Sequence, residues 1–279
     1  MAPETAAWWT FLCAVSALNV VAWSASALAL RRVHRPGSAG AGAWRGPRLQ
    51  WLLSGAYVLG CAYRSAFPVY DVQRQVMVDS WWSSVIVGRS IATVAELCFV
   101  IQWAMLLHAL SDAHDHRFGR QVARLVVPLI VIAEICSWHA VLTTANLGHV
   151  VEESLWGLSA ALMVISIIGL WARCDRSSRL LMLLWGAAGL AYVIYMFGVD
   201  VPMYWSRWLA DEAHARSYLS VGQGLADASG RWVVTHRWED WKSEVVWMSL
   251  YFSVAVWLSI GLVHAAAAMP GHTQAHPPA

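Results

Sequence analysis

WWSSVIVGRSIATVAELCFVIQWAMLLH, from Trp81 to His108, is almost uninterruptedly apolar, yet it carries Arg89 and Glu96 in its interior. A helix that crosses a bilayer takes about 20 mainly apolar residues. This stretch clears that length, and comparable runs lie near 8–30, 50–68, 123–144, 154–172, 180–199 and 245–266. The fold class read from them is all-α, a polytopic membrane protein of seven transmembrane helices. Composition agrees: 58% of the 279 residues are hydrophobic and 13% charged, against about a quarter charged in soluble domains.

Lys and Arg concentrate in cytoplasmic loops. Arg31, Arg32, Arg35, Arg45 and Arg48 follow the first run, Arg117, Arg120 and Arg124 the third, and Arg173, Arg176 and Arg179 the fifth. The opposite segments hold twelve of the seventeen acidic residues. Both distributions predict the N-terminus outside and the C-terminus in the cytoplasm. The first run lacks a basic leader and ends at Arg31 and Arg32, as a retained anchor does and a cleaved signal does not.

One membrane domain is expected over 1–268, followed by a disordered cytoplasmic tail at 269–279. RPGSAGAGAWRGP, after the first run, reads as a flexible connector. Residues 201–244 form the long outer segment between the sixth and seventh spans. Apolar residues recur at helical spacing in SRWLADEAHARSYL, so this cap loop is expected to be partly helical.

Net charge is only +2 and no basic block is interleaved with aromatics, which excludes a nucleic-acid partner. Cys13, Cys61, Cys98, Cys136 and Cys174 form no CxxC pair. Walker, GxSxG and HExxH patterns do not occur. The 19 tryptophans include many at span ends, which marks an interfacial belt. A single lysine, Lys242, against 18 arginines suggests a GC-rich bacterial genome, and hence a multi-pass protein of the cell inner membrane.

Ionisable groups at membrane depth are costly and point to function when they face the bundle. Arg89, Thr93 and Glu96 recur at steps of four and three and share one helical face, with Trp103 on the same stripe. Arg89 and Glu96 are separated by about 10.5 Å of helical rise, so another group or a ligand is expected between them. Arginine suits an anionic ligand. The antiparallel fourth run carries Glu134 and His139. Counting from span ends sets Glu134 level with Glu96, and His139 level with Arg89, in an outer layer.

Arg64, one turn before Pro68, belongs to an outer charged collar with Asp71, Arg74, Asp79, Glu152, Glu153 and Asp200. In HRWEDWKSE, His236 and Lys242 stand among carboxylates, but with no second histidine at ligand spacing no metal site is assigned. His108 and His264, at inner span ends, fit interface histidines as well as axial haem ligands. No cofactor is assigned.

The expectation is an integral membrane enzyme acting on a lipid-like or amphipathic substrate at an outward-facing polar site. Glu96, Glu134, His139 and His236 are the candidate catalytic groups; Arg89, Thr93, Arg64, Trp103 and Lys242 are the candidate binding groups. A proton-coupled carrier using the same carboxylates and a seven-helix sensor are the alternatives. The lipid bilayer and an amphipathic ligand are the expected partners, and no protein partner is assigned.

Overall fold

A computed structural model describes residues 1–33, 45–174 and 176–267. The expected tail and most of the expected connector lie outside the described residues. The long helices are α1 (Pro3–Val33), α2 (Arg45–Ala66), α3 (Val85–Ala113), α4 (Arg117–Thr143), α5 (Asn146–Trp171) and α6 (Arg176–Tyr195). A π-helical turn, Met196–Asp200, joins α6 to α7 (Val201–Ala213). Then follow α8 (Val221–Gly230), α9 (Trp238–Trp241), α10 (Val245–Tyr251) and α11 (Val254–Ala267). The strands are short: β1 (Val69–Tyr70), β2 (Gln75–Val76) and β3 (Val233–Val234).

Six stretches among the described residues are long and apolar enough to cross a membrane: Pro3–Leu30, Val85–Ala113, Arg117–Thr143, Asn146–Trp171, Arg179–Ala213 and Val245–Ala266. This is a multi-pass membrane protein. Leu18, Ile168, Leu183 and Ile194 are 54–67% exposed on these helices, apolar surface that a bilayer covers and water penalises. The remaining predicted span, near 50–68, is helical as α2, but Arg48, Gln50 and Arg64 make it less apolar than the six.

The segment expected to lie outside, 201–244, departs from expectation at its start. The chain does not leave the helix at Val201; it continues through the π turn to Ala213. Pro202 is tolerated because it stands in the first turn of α7, where its missing N–H costs little. The helix expected within SRWLADEAHARSYL is present in α7 as far as Ala213, and α8 and α9 add helical turns later in the segment.

The chain divides into two compact units. The first comprises Met1–Pro68, Ser90–Gln102 and Val234–Ala279; the second comprises Val69–Arg89 and Trp103–Val233. In the first, the Trp23 and Trp51 rings stack at 4.5 Å between α1 and α2. Each indole N–H donates to the other residue's carbonyl, at 3.1 and 3.4 Å. The last predicted span is interrupted between α10 and α11. Asn19 Nδ2 donates to the Phe252 carbonyl at 2.8 Å, which satisfies an acceptor that the interrupted helix would otherwise leave buried.

In the second unit, α4 and α5 form a hairpin that turns at Thr144, whose φ of 62° lies in the left-handed region. Gly148 lets the two backbones touch: a Cβ there would meet the Cys136 carbonyl oxygen at 2.5 Å and Ala140 Cβ at 2.8 Å. Gly224 does the same for α8, where a Cβ would meet the Leu142 carbonyl oxygen at 1.9 Å. Arg74, in the β1–β2 turn, is wholly buried. Its Nε donates to Asp227 Oδ2 at 2.7 Å, Nη1 to the Asp71 carbonyl at 2.6 Å and Nη2 to the Val141 carbonyl at 2.9 Å. One guanidinium thus ties the hairpin, the end of α4 and α8, beside an apolar cluster of Val69, Val76, Val85, Val141 and Ala228.

Burial alone would raise the Asp227 carboxyl pKa, but hydrogen bonds from Arg231 and Arg74 outweigh it and hold the group below its ordinary value. A carboxyl depressed on folding contributes stability above its unfolded pKa of about 3.9, and loses it as pH falls through the lower folded value. Asp227→Asn removes that contribution at neutral pH and leaves the buried Arg74 charge unpaired. We expect a destabilisation of about 3 kcal/mol and faster tryptic cleavage at Arg231 at neutral pH, with the wild type losing the same stability, read by thermal melting, only as pH falls below about 3.9.

Candidate functional site

Arg89 stands near the start of α3 and is 6% exposed, so its charge must be met inside the protein. Two carboxylates meet it. Its Nη2 donates to Glu134 Oε2 of α4 at 2.9 Å and to Glu152 Oε1 of α5 at 2.9 Å. Both glutamates are buried. The other Glu152 oxygen, Oε2, accepts from His149 Nδ1 at 2.6 Å. The result is a continuous buried chain, His149–Glu152–Arg89–Glu134.

The charge count gives this chain its chemistry. Two carboxylates crowd one guanidinium, and low dielectric makes like charges costly to keep side by side. A proton held by the group would lower that cost. Short contacts link the groups, so the proton has more than one place to reside. A buried group holding one shareable proton can act as acid or base.

Local sequence explains the arrangement. Helix α5 begins at Asn146, directly after the left-handed Thr144, so His149 and Glu152 lie three residues apart on one helical face. The close approach at Gly148 then holds that face against α4, where Glu134 is buried. Toward the cap, the His149 ring lies 4.8 Å from the Tyr204 ring of α7. The Arg207 guanidinium carbon sits over two rings, 5.3 Å from Tyr204 and 5.7 Å from Tyr70.

Of the residues singled out in the sequence, Arg89 and Glu134 are brought into direct contact. His139 does not form the expected outer layer with Arg89. Five residues along α4 turn it about 140° from Glu134, onto an exposed face shared with Ile135. Glu96 belongs to the first unit, where Tyr251 Oη donates to its Oε1 at 2.8 Å. Tyr57, wholly buried, lies 5.7 Å edge-on to Tyr251 and stacks on Phe99 at 4.5 Å.

Thr93 is half-buried in that unit and Arg64 is buried in the last turn of α2. Trp103 packs edge-on against Trp185 at 5.3 Å, as a core ring does. His236 is half-buried and its carbonyl accepts the Ala2 N–H at 3.2 Å. Lys242 is exposed and paired with Glu239 on its own turn. His108 pairs with Asp112 at 3.0 Å and His264 with Ser26 Oγ at 2.9 Å.

Sequence reasoning missed His149 and placed Glu152 in an outer collar. The fifth span was expected to start at 154, because His149, Glu152 and Glu153 lower the apolarity of the preceding stretch. Their three-residue spacing after a turn was the signal that could have found them. Comparison with protein-family models, curated proteins and solved structures returns no match.

Arg89→Gln leaves Glu134 and Glu152 buried without their cation. We expect a loss of about 3–5 kcal/mol, read as a lower melting temperature of the purified protein. Adding Glu134→Gln and Glu152→Gln to that variant should recover part of the loss, because the unpaired charges are then removed.

Proposed function

We propose that the protein is a seven-helix integral membrane enzyme of a bacterial inner membrane. It works by acid–base chemistry on a lipid-like or amphipathic substrate, at a polar site opening outward. The observation that carries this reading is the buried chain His149–Glu152–Arg89–Glu134, in which two carboxylates share one guanidinium and a histidine meets one of them. Such a group is expensive inside an apolar bundle and is retained where it does chemistry.

The distribution of arginine supports an N-terminus outside and a C-terminus in the cytoplasm, with α2 as the seventh span. In that orientation α3 and α5 start at the outer face. Arg89 then lies about 6 Å of helical rise inside it, within reach of a headgroup. Because Arg89 Nη2 is already shared by two carboxylates, its role here is to position them rather than to bind substrate. Glu134 or Glu152 takes or gives the proton, and His149 passes it toward the outer end.

A proton-coupled carrier is the second reading, and the π turn at Met196–Asp200 favours it. Such turns interrupt helices at functional positions and give a long helix a place to bend. The two readings part on product. A bacterial lipid extract incubated with the purified protein should yield a mass-shifted species. Glu134→Gln and Glu152→Gln should slow its formation about a hundredfold or more without loss of folded protein. Unchanged lipids, together with proton-driven counterflow in proteoliposomes, would select the carrier.

A further inference from the structure

Most cations in the cap of the second unit and in the segment that follows it are matched by a carboxylate. Arg74 and Arg231 share Asp227, Arg216 pairs with Asp211 at 2.9 Å, Arg237 with Asp240 at 2.9 Å, and Lys242 with Glu239. Arg207 is different. Its guanidinium lies over the rings of both Tyr70 and Tyr204, and its Nη1 is buried with no hydrogen-bond partner among the described residues. Ring faces balance part of the charge, but they satisfy none of the in-plane N–H donors. An orphaned buried donor costs about 1–3 kcal/mol, and such a group asks for an explanation.

The cage is not isolated. Tyr204 also packs on the His149 ring at 4.8 Å, and His149 begins the buried chain that ends at Glu134. Arg207 as a whole is only half-buried, although Nη1 is covered, so an incoming group that engages Nη1 must displace what covers it. A planar guanidinium clamped by two aromatic faces has fixed orientation, which lowers the entropy lost when it grips an oxyanion through two parallel N–H donors. We infer that Arg207 receives the phosphate or carboxylate headgroup of the substrate, with Tyr70 and Tyr204 fixing the fork beside the acid–base chain. This inference rests on the enzyme reading above and names its substrate class as an anionic amphiphile.

The test is binding of dihexanoyl phosphatidic acid, dihexanoyl phosphatidylcholine and inorganic phosphate to the full-length protein in neutral-lipid nanodiscs, by calorimetry. Wild type should bind the phosphatidic acid, and Arg207→Gln should raise its Kd at least tenfold while the phosphatidylcholine response does not change. Arg207→Lys keeps the charge without the planar fork and should fall between them at an unchanged melting temperature, which separates lost binding from lost folding. If only the phosphatidic acid depends on Arg207, the anion belongs to a lipid. If inorganic phosphate binds with the same affinity and the same dependence, it is a soluble anion, and the anion site stands.

Equal Kd values for the wild type and Arg207→Gln, or no binding of either anion to the wild type, overturn the inference. The enzyme reading fails separately: Glu134→Gln retains anion binding, so Arg207-dependent binding with no lipid product would leave the site standing and remove the enzyme.

Discussion

A guanidinium charge cannot be left alone inside an apolar helix bundle, and Arg89 obliges its surroundings to supply the counter-charge. Two glutamates from two different helices answer it at 2.9 Å each. That demand sets which faces of α4 and α5 point inward. It also brings two carboxylates close together, and His149 meets one of them. The pairing that makes the charges tolerable in lipid is therefore the same pairing that leaves room for a proton.

The rest of the second unit reads as support for that contact. Gly148 brings α5 within backbone distance of α4, and without it Glu152 would stand further from the guanidinium. Arg74, itself a buried cation, solves the same problem differently: one carboxylate and two carbonyls each accept from one of its three nitrogens. The contrast between the two arginines is instructive. Arg74 carries no surplus of titratable groups and reads as a structural tie. Arg89 does carry one, and lies one ring contact from a cap that holds the orphaned donor of Arg207.

Much of the helical layout was legible in the sequence, because long apolar runs have few alternatives in lipid. Arg89 and Glu134 stood out too, since charge at membrane depth is rare, and they are in contact at 2.9 Å. Their partners were harder to read. Depth counted along two antiparallel helices says how far down a residue lies, but not which way it faces, so His139 was matched to Arg89 although it points outward. Glu152 was misplaced because its own charge, with that of Glu153, pushed the apparent start of the span past it. The continuation of α6 through a π turn into α7 runs past residue 199, where the apolar run ends in the sequence. Contacts such as the tyrosine cage around Arg207 join β1 to α7 across more than a hundred residues, a separation that periodicity does not span.

The central claim is that the Arg89 group holds a proton it can give up, rather than a fixed ion pair. Infrared-monitored titration of the protein in nanodiscs between about pH 5 and 8, the range over which histidine-linked groups exchange protons, tests it most directly. Glu134→Gln and Glu152→Gln assign the bands. The account predicts a carboxyl or imidazole signal that changes within that range and disappears or moves in at least one of the two variants. A spectrum showing both glutamates ionised and His149 unchanged across the whole range would contradict it, and would leave the group as a structural tie of the same kind as Arg74.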